Sequence, residues 1–262
     1  SYIDTYSLIN IIIGATIVCV NGYWDDLKII NPYQKLIFQL IAVVFIIFSN
    51  ELVILNLNGF LGIENIPYLP GFCLTTFIGI FMINSFNLID GIDGLAASSA
   101  VISFIAFAIL FWVLNYKGYF GMCIIMVGMI ISYLPFNYSK TKKTFMGDSG
   151  ALFIGYILFI MTIIVVNNSE PVIDRLIDRA ILPIAPMIIF LLPMVDTFGV
   201  YTLRLYKGES PFRADNQHIH HMVLAFTNSH LIASLLINFC CLFILGLFSY
   251  LAFWLSTVIY IV

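Results

Sequence analysis

Long apolar runs alternate with short polar loops along the whole chain, and the runs predict helices over 7–22, 36–50, 71–87, 95–114, 119–137, 149–166 and 179–201. A final stretch, 230–262, has His230 as its only Asp, Glu, Lys, Arg or His. As one helix it would reach about 50 Å at 1.5 Å per residue, too long for a single hydrocarbon core, so one full span plus a partial second is expected. Turn formers punctuate the runs: Asn31–Pro32, Pro67, Pro70–Gly71, Gly91, Gly94 and Pro171.

Composition identifies the solvent of these runs. Of 262 residues, 61% are hydrophobic and 10% charged, with mean hydropathy +1.04. A soluble domain carries about 25% charge. The expected fold is therefore all-α, a polytopic transmembrane bundle with room for roughly eight or nine spans and catalytic loops at one membrane face. The whole of 1–262 reads as one integral-membrane domain, without a sizeable soluble domain. The net charge of −3 carries little information beside where the charges lie. Cys19, Cys73, Cys123, Cys240 and Cys241 lie in apolar runs without metal-ligand spacing, as small buried hydrophobes would.

Threading the chain through the spans puts the loops around 23–35, 88–94, 138–148 and 202–229 on one side. They hold Lys28, Lys35, Lys140, Lys142, Lys143, Arg204, Lys207 and Arg213, eight of the 11 basic residues. The excess of positive charge predicts that this side is cytoplasmic. The same loops carry the clustered aspartates and histidines, so charge bias and candidate chemistry select one face. This threading starts the chain outside, which fits a protein with further helices upstream.

Asp25 and Asp26 close the first run and precede Lys28 and Lys35. They could be a solvated helix end, but adjacent carboxylates raise one another's proton affinity and suit metal binding or proton removal. In Asn84, Asn87, Asp90 and Asp93 polar groups recur every third position, which on a helix end would align two amides and two carboxylates in one stripe. Gly91 and Gly94 let backbone turn or approach a ligand there. Asp148, in Phe145–Met146–Gly147–Asp148–Ser149–Gly150, could be an ordinary helix N-cap or a ligand for a hard cation. In the last loop, His218, His220 and His221 follow Ser210–Pro211–Phe212–Arg213. Zinc is the obvious competitor, but no span or loop supplies the usual further His or Cys. Imidazole and guanidinium donors to phosphate fit better.

Paired aspartates, N-x-x-N-x-x-D-G-x-D-G, F-M-G-D-S-G and S-P-F followed by H-I-H-H, in this order over about 21–221, resemble the polyprenyl-phosphate N-acetylhexosamine-1-phosphate transferases. H-I-H-H is similar to their GlcNAc-1-phosphate branch. The resemblance implies a UDP-N-acetylhexosamine, most simply UDP-GlcNAc, and undecaprenyl phosphate as substrates, with UMP released at the cytoplasmic face of a bacterial inner membrane. Mg²⁺, or Mn²⁺ in its stead, would be held by Asp148 and Asn87. Asp25 or Asp26 would deprotonate or position the lipid phosphate, making Asp25, Asp26 and Asp148 the catalytic set. Asn84, Asp90 and Asp93 would lie by the nucleotide sugar, and Lys28, Lys35, Arg213, His218, His220 and His221 near the phosphates. A homodimer is compatible with the family, and no nucleic-acid partner is implied.

Two departures stand out. Asn216 follows Asp215 where the family often has a basic residue, and nothing before Asp25 matches the family's upstream loop of lysine, proline and paired glycines. The family also carries further N-terminal spans. A catalytically inactive scaffold of the same family therefore remains an alternative. A cation transporter would need carboxylates near mid-span, and only Asp196 approaches that, near the cytoplasmic end of its run. An intramembrane aspartyl protease would need glycine where Phe145 stands.

Overall fold

A computed structural model describes residues 5–28, 30–48, 52–167, 179–210 and 218–259, with side chains as far as 252. The helices are α1 (Thr5–Leu27), α2 (Pro32–Ile47), α3 (Tyr68–Leu88), α4 (Leu95–Val113), α5 (Lys117–Asn137), α6 (Gly147–Val166), α7 (Ile184–Ile189), α8 (Leu191–Tyr206), α9 (Ile219–Thr227) and α10 (His230–Ile259). An isolated antiparallel bridge, Asn56 to Asn65, is the only β pairing among the described residues.

α6 is apolar on every side and buried on nearly every side, as a helix surrounded by others must be. It packs between α1 and α3, while α2 lies on α1 and α5 on α4. Small residues allow the close approaches. A Cβ at Gly22 of α1 would stand 2.4 Å from the Ser149 backbone of α6, so α1 reaches the start of α6 only because Gly22 lacks one. At the opposite end of α6, Asn58 Nδ2 donates to Val166 O at 2.7 Å and Asn167 Nδ2 to Val53 O at 2.9 Å. These bonds tie the loop after α2 to the terminal turn of α6.

Among the described residues, six helices are long and apolar enough to cross a membrane, or seven if one bent pair counts as a span. This is a multi-pass membrane protein, with fewer spans in the described residues than the eight or nine expected. The differences are local. The run at 36–50 forms α2, whose 16 residues reach only about 24 Å at 1.5 Å each. Asn31 caps it by accepting from Tyr33 N at 3.0 Å, and Pro32 opens it. The run at 179–201 is bent by 69° between α7 and α8. Pro193 has no N–H for the Ile189 carbonyl one turn before it, and Ser103 Oγ donates to that carbonyl instead, at 3.4 Å. The terminal run is one helix, α10, rather than a span and a partial second. Of the cysteines only Cys123 is fully buried; Cys73 and Cys240 lie on the outside of the bundle.

Candidate active site

α1 and α3 end, and α2 and α6 begin, at one end of the bundle. The turn between α1 and α2 sends the chain back so that Lys35, in the first turn of α2, faces Asp25 near the end of α1. Lys35 Nζ lies 2.9 Å from each of three oxygens: Asp25 Oδ2, Asn87 Oδ1 and Asp148 Oδ1. Asn87 Nδ2 also donates to Asp148 Oδ1, and Asp25 Oδ1 accepts from Ile30 N at 2.9 Å. One ammonium thus joins three motifs that lie up to more than a hundred residues apart in sequence.

The adjacent aspartates diverge. Asp26 turns away from Lys35 and accepts from Asp148 N at 2.8 Å, Ser149 N at 3.2 Å and Ser149 Oγ at 2.8 Å. A carboxylate at the N-terminus of a helix satisfies its free amides and opposes its dipole. Asp148 is therefore not the N-cap of α6. The capping carboxylate comes from α1, which leaves the Asp148 side chain for Lys35 and Asn87. Gly147 makes room for this contact: its φ is +67°, and a Cβ there would stand 2.8 Å from Asp26 Oδ2.

The expected stripe of Asn84, Asn87, Asp90 and Asp93 is broken. α3 ends at Leu88, and 89–94 turns back, with Gly94 at φ +78°. Asn84 donates to Tyr201 Oη of α8 at 2.7 Å, one turn below Asn87. Asp93 pairs with Lys143 Nζ at 2.7 Å and lies 3.5 Å from His230 Nδ1. Asp90 stays among the acids: burial pushes its carboxyl up to about 7, assisted by the charges of Asp148, Asp26 and Asp93. Lys28 is exposed beyond the end of α1.

The histidine segment is anchored to α8. Asp196 Oδ2 lies 2.9 Å from His218 Nδ1, and Oδ1 accepts from Ile219 N at 2.6 Å. His220 Nδ1 stands 3.5 Å from the same carboxylate, and the His220 and His221 rings are 4.3 Å apart. Asp196, His218 and His220 bring one atom each of a kind that can bind a metal within 4.8 Å of one another, the third group coming from α8 rather than from the histidine motif. Arg213 lies outside the described residues. Asp196 as the anchor of His218, Ser149 as a partner of Asp26, and the Lys143–Asp93–His230 group carried no signal of their pairing in sequence.

Asn87 and Asp148 carry hard oxygens of the kind that hold Mg²⁺ or Mn²⁺; in this arrangement those oxygens, with Asp25 Oδ2, meet the Lys35 ammonium. The sequence model of glycosyl transferase family 4 matches residues 8–166, well over half of the chain and all of these residues. The chain belongs to this family. Two Escherichia coli relatives are named undecaprenyl-phosphate alpha-N-acetylglucosaminyl 1-phosphate transferase. One is 32% identical over 158 residues, covering 59% of this chain and 41% of the relative. The other is 29% identical over 216 residues, covering 80% and 56%. A Bacillus subtilis relative, named a probable undecaprenyl-phosphate N-acetylglucosaminyl 1-phosphate transferase, is 28% identical over 235 residues, covering 87% and 61%. The chain thus spans between about two fifths and three fifths of the length of these relatives. The family match stops at Val166, so the histidine segment and Asp196 lie beyond it.

Proposed function

We propose that the chain carries the catalytic centre of a transferase that moves GlcNAc-1-phosphate from UDP-GlcNAc to undecaprenyl phosphate. An oxygen of the lipid phosphate attacks the β-phosphorus of the nucleotide sugar. The bond from that phosphorus to the bridging oxygen breaks, and UMP leaves with the bridging electrons. Direct attack needs no covalent enzyme intermediate, because a phosphate monoester is already a competent nucleophile near neutral pH.

The observation that carries this is Lys35 Nζ, 2.9 Å from Asp25, Asn87 and Asp148. Phosphoryl transfer between two anions requires positive charge at the reacting oxygens and little covalent help from the protein. Lys35 supplies one charge. Asp148 and Asn87 would hold Mg²⁺, which when bound neutralises diphosphate oxygens as a Lewis acid. Asp25, on the other side of the ammonium, is poised to take the proton of the lipid phosphate or to orient it. Asp90 and Asp93 would face the nucleotide sugar, and the histidines its phosphates. The site lies at one end of the bundle, where a lipid in the bilayer and a nucleotide in water can meet. The basic loops favour the cytoplasmic side of a bacterial inner membrane.

The names of the relatives support the acceptor and the transferred group. UMP release from purified protein, given undecaprenyl phosphate, UDP-GlcNAc and Mg²⁺, tests the proposal. Release that needs the lipid and is lost in Asp148→Asn supports it. Release of UDP instead would mean that sugar alone is transferred and would sink it.

A further inference from the structure

Two residues outside the histidine segment hold it in place. From α8, Asp196 fixes both a ring and the backbone at the start of α9, through His218 Nδ1 at 2.9 Å and Ile219 N at 2.6 Å. From the 89–94 turn, Gly91 receives the Nε2 edge of His220: a Cβ at Gly91 would stand 2.2 Å from His220 Nε2 and 2.9 Å from Cδ2. His220 is 2% exposed; its Nδ1 stands 3.5 Å from the Asp196 carboxylate, whereas its Nε2 has no hydrogen-bond partner. Buried polar groups are almost always satisfied, so Nε2 is the atom of this ring left for a group that the protein itself does not supply.

We propose that Asp196 and Gly91 are positioning residues that hold His218 and His220 for the diphosphate of the nucleotide sugar, an assignment that rests on the transfer reaction proposed above. Asp196 accepts from His218 Nδ1–H, so the ring meets a phosphate oxygen through Nε2, which donates to it when both ring nitrogens carry a proton. Such outer partners fix tautomer and ring direction wherever imidazole works on a ligand. Gly91 acts sterically, because any side chain there would displace His220 from the turn that also carries Asp90 and Asp93. The cluster is read as a hydrogen-bonded group rather than a metal centre, because Asp196 Oδ2 and His218 Nδ1 meet each other directly at 2.9 Å.

Asp196→Asn separates positioning from folding. Asparagine keeps an oxygen for Ile219 N but presents an amide donor to His218 Nδ1, so Nδ1 must give up its proton and the ring can no longer donate from both nitrogens. The expected result is a fall of about 10- to 100-fold in kcat/KM for UDP-GlcNAc. The KM for undecaprenyl phosphate should be unchanged, with part of the loss recovered in Asp196→Glu. Gly91→Ala should weaken UDP-GlcNAc in the same selective way, while Gly118→Ala, with nothing within 4 Å of its Cβ position, should not. Imidazole nitrogen-15 shifts report the His218 tautomer without substrate and are expected to show Nδ1 protonated in wild type and not in Asp196→Asn.

If both variants match wild type in KM, the inference falls and the transfer reaction stands. If wild type releases no UMP, the transfer reaction falls. The nitrogen-15 shifts then decide the placing of His218 alone, and a wild-type His218 without a proton on Nδ1 overturns it. Stoichiometric zinc in wild type, lost in Asp196→Ala, would also overturn it by making the three side chains metal ligands.

Discussion

Asp26 on α1 caps the helix that carries Asp148, accepting from Asp148 N at 2.8 Å and from the Ser149 hydroxyl at 2.8 Å. Its neighbour Asp25 instead meets Lys35 at 2.9 Å. Two adjacent carboxylates therefore do different work, one fixing the helix that presents Asp148 and one facing the ammonium.

This division predicts different losses. Asp26→Asn keeps one acceptor but removes the charge from the start of α6, which should cost about 1 kcal/mol of stability and leave measurable activity. Asp25→Asn should cost far more activity than stability. Thermal unfolding in detergent beside UMP release distinguishes them; equal profiles for the two variants would contradict the division.

Lys35→Met leaves Asp25 and Asp148 facing each other with no cation between them. We expect at least about a hundredfold loss of kcat/KM, comparable to removing a donor aimed at developing charge. Lys35→Arg should not restore it, because a planar guanidinium cannot bring one point charge to three converging oxygens. Wild-type rates in the arginine variant would show that the convergence is not used.

Gly147→Ala combines two penalties. The left-handed backbone costs an L-residue about 1–2 kcal/mol, and the new Cβ would press on Asp26 at 2.8 Å. Gly59→Ala has φ +82° with nothing within 4 Å, so it should show the first penalty alone. A larger fall in melting temperature for Gly147→Ala than for Gly59→Ala is expected.

The Asp90 carboxyl, pushed up to about 7, gives a pH signature. The unfolded chain loses this proton near pH 4, whereas the folded chain keeps it until about 7. The folded state therefore binds more protons across that window, and stability falls as pH rises through it. Melting temperature should drop from pH 5 to pH 8 more steeply in wild type than in Asp90→Asn. Parallel profiles would show that Asp90 titrates normally.

Hydropathy made most of the fold legible: α4 and α6 begin and end within two residues of the runs at 95–114 and 149–166. It failed where length or backbone chemistry intervened, as in the short α2 and at the bend that Pro193 accompanies. At the site, motif order brought Asp25, Asn87 and Asp148 into view. Helical spacing misled at Asp93, because the glycines of 89–94 end the helix and turn its carboxylate toward Lys143. The capping role of Asp26 and the seat of His220 on Gly91 depend on contacts between distant segments, which no local pattern records.

The most direct measurement follows the β-phosphorus of UDP-GlcNAc. With that atom radiolabelled, purified protein given undecaprenyl phosphate and Mg²⁺ should move the label into the organic phase with the lipid, and Asp148→Asn should not. Label that stays in water as UDP while the sugar alone becomes lipid-linked would contradict the transfer of a sugar phosphate at the Lys35 site.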